Sequence, residues 1–150
     1  MKISKKNSKG FSLIELLIVV AIILIIAAIA IPNLLRARRA ANEGSATASM
    51  RTLGSGELLY RSTNGNFTDL AGLSGDSIID NVLGSGTKSG YAFSATPGTS
   101  TDLQFTCTGS PSISTGATQT GARFFFVDET QVVRFALGAA ATSSSGAIGN

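Results

Sequence analysis

Gly10-Phe11-Ser12-Leu13-Ile14-Glu15, followed by an apolar run from Leu16 to Ile31, is the stretch from which the rest of the chain is read. A helix rises about 1.5 Å per residue, so residues 11–31 make a rod roughly 30 Å long, the thickness of a bilayer's hydrocarbon core. A segment of this kind spans a membrane or is cut away. Glu15 interrupts its start, and an ionised carboxylate in a spanning helix costs on the order of 2.5–3.5 kcal/mol at the centre and less near an end. Such a charge marks a function and calls for a partner.

The residues before this stretch, Met1 to Gly10, are short, polar and cationic. Their lysines favour a cytoplasmic N-terminus, although Arg36, Arg38 and Arg39 beyond the span pull the other way. The formal net charge of +3 is misleading. Lys2, Lys5, Lys6 and Lys9 all precede Phe11, and without these four of the 12 basic residues the remainder falls below the 9 acidic ones. The basicity therefore gives no support to nucleic-acid binding. Cys107 is the single cysteine and histidine is absent. That excludes an internal disulfide, a His-based triad, the common zinc sites and a His-driven pH switch.

A secretory signal peptide is the competing reading, because Ala28-Ile29-Ala30 has the small-x-small form of a cleavage site. The apolar stretch is longer than the usual signal core, Glu15 interrupts it, and helical periodicity continues past the alanines.

The run Lys9-Gly10-Phe11-Ser12-Leu13-Ile14-Glu15-Leu16-Leu17-Ile18-Val19-Val20-Ala21-Ile22-Ile23, ending in Ala28-Ile29-Ala30-Ile31-Pro32-Asn33, resembles the N-terminus of a type IV pilin precursor. The match covers about a third of the chain. The resemblance implies that a prepilin peptidase in the inner membrane cuts between Gly10 and Phe11 and methylates the new N-terminus at Phe11. It also implies a single-pass holding state in that membrane, then insertion by an ATP-driven assembly machine into a homo-oligomeric helical filament outside the cell. Phe11 and Glu15 are four apart and share a helical face, so the carboxylate can reach an amine at the helix start. The family assigns this pairing to the amine of an adjacent subunit, which makes Glu15 the assembly residue that sets axial register.

Pro32 removes a backbone donor and crowds the preceding turn, so a kink or local opening is expected there. The pattern then continues as helix to about residue 60. Leu34, Ala37, Ala41 and Ala48 fall on one face, and Ala46, Met50, Leu53 and Tyr60 on another. The second set is assigned to the chain's own head and the first to neighbouring helices. Gly44, Gly54 and Gly56 cost about 1 kcal/mol each relative to alanine, so this half is expected to be loose or melted. Arg36, Arg38 and Arg39 lack interleaved aromatic residues and are read as exposed or intersubunit ion-pairing groups; in a filament Glu43 or Glu57 of neighbouring subunits are within the range of partners, and the sequence does not choose among them.

From Arg61 the composition turns to Ser, Thr, Gly and Asn. Asn64-Gly65-Asn66-Phe67-Thr68-Asp69-Leu70 resembles the segment after the long helix in many pilins and pseudopilins, where the aromatic residue pins a loop. Residues 77–83 suggest a helical turn. Asp69, Asp76 and Asp80 lack the alternating oxygens of a calcium loop and are read as solvated carboxylates. Alternation with period two marks strands at 90–95, 103–107, 123–127 and 132–135, with Asp128 to Gln131 as a hairpin turn. Cys107 is read as buried packing, and the tail from Gly138 to Asn150 as flexible or loosely draped. The tail lacks the two cysteines with which many type IV pilins close a C-terminal loop.

The expected fold is α+β: a leader over 1–10, a long helix over 11–60 with its transmembrane and assembly segment at 11–31, and a head over 61–150 with a four-stranded antiparallel sheet packed on the helix. The expected function is that of a structural pilus subunit serving motility, adhesion or DNA uptake. No catalysis, cofactor, metal or specific nucleic acid is expected. A pseudopilin of a type II secretion system and a membrane-anchored periplasmic binding module are the alternatives.

Overall fold

A computed structural model describes residues 10–98 and 104–149. Most of the leader, the Leu103 end of the expected second strand, and Asn150 lie outside the described residues. The chain divides into two units, 1–35 and 36–150.

One helix, α1, runs from Leu13 to Asn64. Its apolar first half is built from good helix formers and helix-compatible β-branched residues. Pro32 lies inside the helix, with helical residues on both sides. At the far end Gly65 takes a φ of +83°, and its N–H donates to the Arg61 carbonyl at 2.8 Å. That left-handed turn is the glycine stop that ends many helices.

In the second unit α1 has the two faces expected of it. Ala46, Met50 and Leu53 are buried and Tyr60 is half-buried, whereas Leu34, outside this unit, and Ala37, Ala41 and Ala48 are exposed. The expectation of a loose or melted helix is corrected. Gly54 and Gly56 are buried contact points. A Cβ on Gly54 would come within 2.8 Å of the Gln131 side chain, which donates to the Gly54 carbonyl at 3.1 Å, and one on Gly56 within 3.1 Å of Ile78. The missing side chains let the head approach the helix backbone, which offsets their lower helix propensity.

Two short helices follow, α2 (Leu70–Gly75) and α3 (Asn81–Gly84). Asp69 and Asp80 are their N-caps, accepting from the Gly72 and Leu83 amides at 2.9 Å each. These carboxylates, read from sequence as merely solvated, satisfy amides that the helix cannot. Asp80 also meets Lys88 at 2.8 Å, and this bond holds its carboxyl below the usual range. Asp69→Ala is expected to lower head stability by about 1 kcal/mol, read from a denaturant or thermal melt.

The sheet is an antiparallel meander in which each strand pairs with the next in sequence: β1 (Thr87–Lys88), β2 (Tyr91–Pro97), β3 (Phe105–Pro111), β4 (Arg123–Asp128), β5 (Arg134–Leu137) and β6 (Gly146–Ala147). The four strands read from alternation are β2 to β5, and the two-residue outer strands are additional. Along β3, Phe105, Cys107 and Gly109 point inward while Thr106 and Thr108 face out. The inner face meets α1 in a core of Met50, Leu53, Phe67, Tyr91, Phe125 and neighbours. Phe67 packs on Phe105 with ring centroids 4.8 Å apart.

The hairpin turn lies where expected: Asp128 accepts from the Thr130 amide, and the Gln131 amide bonds back to the Asp128 carbonyl. Strand β5 begins at Arg134, two residues later than the Val-Val run suggested. The described tail is docked instead of draped. Ala141 is buried, β6 pairs with β5, and the Ile148 amide donates to the Val133 carbonyl at 2.8 Å.

Candidate functional site

Of the residues singled out near the start of α1, Glu15 lies in its first turn. Gly10, Phe11 and Ser12 precede the helix, and Gly10 and Phe11 are exposed, Phe11 at 79%. No described atom lies within 4 Å of where a Cβ on Gly10 would stand, and its φ is not in the left-handed range. Among the described residues nothing packs against the open side of Gly10.

Glu15 has a partner. The Ser12 N–H donates to Glu15 Oε2 at 2.9 Å, and the Leu16 N–H donates to the Ser12 carbonyl at 3.3 Å. Ser12 therefore stands at the N-cap and Glu15 three residues on, in the arrangement by which a glutamate returns to the cap amide. The carboxylate also lies at the positive end of the helix dipole. The spacing Ser-x-x-Glu was visible in the sequence, and the capping role was missed because the apolar run drew attention to the membrane. A cut after Gly10 would place an ammonium at Phe11, one residue before the amide that Glu15 now holds.

The surface that follows is unpartnered. Leu13, Leu24 and Ile29 are 80%, 63% and 66% exposed, and the most apolar 18-residue window, of mean hydropathy 3.3, has none of its residues buried within the chain. A helix long and apolar enough to cross a membrane thus presents its whole circumference. In water each Leu or Ile left exposed forgoes roughly 1.5–3 kcal/mol of burial, so this surface requires lipid or other helices.

Of the carboxylates that Arg36, Arg38 and Arg39 could meet on a neighbouring subunit, Glu57 is corrected, because it is buried within its own chain, and Glu43 has partners within the chain. Glu43 accepts from the Ala122 amide at 2.8 Å and lies 3.5 Å from Arg123 Nε. One residue before it, Asn42 donates to the Thr120 carbonyl at 2.9 Å, so this turn of α1 clamps the approach to β4. Glu57 is wholly buried and accepts from the Thr68 amide at 3.1 Å. Burial raises its pKa to about 7, the nearby Asp69 adds to the rise, and the Thr68 bond opposes it. Sequence displays charge but not burial, and the burial of Glu57 was not legible there.

Elsewhere the head offers shallow grooves. One of about 360 Å³ runs along Arg51, Thr52, Ser55, Gly56, Leu59 and Ile78. A more enclosed one of about 250 Å³ is lined by Arg51, Gln131, Val133 and Ile148 among others. Neither gathers the convergent polar groups of a small-molecule site. Among the described residues no three His, Cys, Asp or Glu side chains are grouped to hold a metal. Burial, with Glu57 nearby, raises the Cys107 pKa well above the ordinary thiol value, which keeps the sulfur protonated and inert.

The comparisons address the helix start and the head in turn. Residues 5–31 match the family model described as the prokaryotic N-terminal methylation motif. The chain is 49% identical over 63 residues to the type IV wide pilus major component PilA4 of Thermus thermophilus, covering 42% of this chain and 48% of the relative. It is 34% identical over 144 residues to the type IV major pilin protein PilA of Myxococcus xanthus, covering 89% of this chain and 61% of the relative. The chain thus spans about half to three-fifths of the length of these relatives. The motif carries the first turn and the apolar helix, and the second relative extends the likeness through the head.

Proposed function

We propose that this chain, a type IV pilin precursor by its N-terminal methylation motif and its pilin relatives, is the structural subunit of a pilus filament. The observation that carries the proposal is the exposed apolar first half of α1, opening on Gly10 and Glu15. A prepilin peptidase cuts after Gly10 and methylates Phe11. The helix rests in the inner membrane with the head on the far side, and an ATP-driven machine transfers it to the growing fibre.

The physical chemistry of that transfer singles out Glu15. Lipid tails are as apolar as the side chains of neighbouring helices, so moving the helix from bilayer to filament gains little from the hydrophobic effect. Close packing and polar pairing must supply the preference. The ammonium created at Phe11 of an adjacent subunit gives Glu15 a charged partner inside an apolar interior, where an uncompensated charge is strongly disfavoured. The same cut removes the lysines that make the precursor basic.

Both relatives are named as pilus components, which supports a pilin in preference to a pseudopilin. The lack of convergent polar groups in the described grooves gives no support to a ligand-binding module. The test is mass spectrometry of sheared surface filaments. A subunit beginning at N-methylated Phe11 is expected. A chain beginning at Ile31, or filaments that lack the protein, would overturn the proposal.

A further inference from the structure

Glu57 is the one wholly buried charged residue of the described core, and the filament reading makes no use of it. It sits on the head-facing side of α1, among Leu53, Gly54 and Gly56, which are also buried. One oxygen takes the Thr68 amide; the other, Oε1, is buried without a hydrogen-bond partner. Thr68 follows Phe67, whose ring packs on Phe105 of β3, and precedes Asp69, the cap of α2. The carboxyl therefore fastens the connection that carries the chain from α1 into the head.

The charged and titratable groups facing it do nothing to favour a carboxylate there. Asp69 contributes a like charge from the connection. From β3 comes Cys107, whose thiol Glu57 itself helps to keep protonated. Arg61, one turn along α1, has its guanidinium over the Phe67 ring at 5.1 Å. Among the described residues no cation lies within ion-pair distance of Glu57. A buried carboxylate with one bare oxygen and no counter-charge is expensive, and the neutral acid is much less so.

We propose that Glu57 is a proton-operated latch: neutral, it seats in the core and holds the Thr68 amide, and ionised, it loosens the connection between α1 and α2. The sign follows from linkage. Released into water the carboxyl has its ordinary pKa of 4.5, and seated it has one of about 7. Between these values the seated form binds a proton that the released form does not, so seating weakens as pH rises through this window and levels off above it. Below the window both forms are protonated and the latch is fully closed.

The test is hydrogen–deuterium exchange of the full chain in detergent micelles, followed on peptides covering residues 65–70 and corrected for intrinsic exchange. The opening equilibrium is expected to rise by up to about tenfold per pH unit between pH 5 and 7 and then to plateau. Glu57→Gln, which keeps an acceptor for Thr68 but cannot ionise, is expected to flatten the profile. Protection in the wild type that does not change from pH 5 to 8, or an unchanged profile in Glu57→Gln, overturns the latch. Infrared spectroscopy of the wild type gives a reading that does not depend on the variant folding. A neutral buried carboxyl band that persists to about pH 7 supports the latch, and a carboxyl fully ionised at pH 5.5 refutes it.

Discussion

Glu15→Leu is expected to abolish surface filaments while leaving the cut after Gly10 and membrane insertion intact. The substitution removes a charge from an apolar helix, so the subunit should enter the bilayer at least as readily as before. On the proposed assembly, what it would lose is the pairing with an adjacent amine. Breaking one side of a buried charge pair costs roughly 3–5 kcal/mol, which corresponds to a loss of roughly a hundredfold or more in the affinity of each subunit addition. The partner ammonium would then be buried alone. Because Glu15 also accepts from the Ser12 amide at 2.9 Å, leucine removes a helix cap as well. Glu15→Gln separates the two roles, since the amide oxygen can still receive the Ser12 N–H but carries no charge. Filament yield measured by shearing and immunoblot should fall with both variants. Normal yield from Glu15→Gln would leave only the cap, and normal yield from Glu15→Leu would remove Glu15 from assembly altogether.

The second large effect is expected in the head, at Gly121. A Cβ there would overlap the hydroxyl oxygen of Tyr91 and approach its Cζ to 2.6 Å. Tyr91 has no room to yield. It is wholly buried, its ring packs on Phe125 at 5.6 Å, and its hydroxyl donates to the Arg123 carbonyl at 3.0 Å. Gly121→Val must therefore displace a core aromatic residue and break a buried hydrogen bond. Overpacking of this kind costs typically 1–3 kcal/mol and the bond about 1 more. For a head of this size a loss of about 3 kcal/mol lowers the melting temperature by roughly 12–16 °C. Tyr91→Phe in the Gly121→Val background should restore part of the loss, because it removes the overlapping atom. Gly146→Ala serves as a control: nothing lies within 4 Å of its Cβ position, and a change within about 0.5 kcal/mol is expected. If Gly121→Val melted with the wild type, this account of the Tyr91 pocket would be wrong.

The parts of the molecule that could be read beforehand share a physical cause. Strands β2 and β3 were legible because one face is buried and the other solvated, which writes a period of two into Phe105-Thr106-Cys107, and β4 was legible as the apolar run Phe124-Phe125-Phe126-Val127. Strands β1 and β6 are two residues long and have no period to detect. The inward face of α1 was legible at Ala46, Met50 and Leu53, since apolar side chains recur at helical spacing. Gly54 and Gly56 were misread because their value lies in what the head places against them, Gln131 and Ile78, and that partner is invisible to propensity. Glu57 was misassigned for the same reason: its burial depends on the head that closes over it and on the Thr68 amide delivered from the connection after α1. At the helix start the spacing Ser12 to Glu15 was open to view, and only its meaning as a cap was overlooked.

In the proposed filament the heads would stand side by side along a fibre, and the brevity of the outermost described strands bears on how such neighbours could meet. A long unpaired strand edge is a template on which another chain can add its own strand, and identical neighbours at high density would fuse sheet to sheet. Here the six-stranded meander ends on both sides in strands of two residues, Thr87–Lys88 and Gly146–Ala147, and the first carries a lysine. Such edges offer a neighbour almost no ladder to extend.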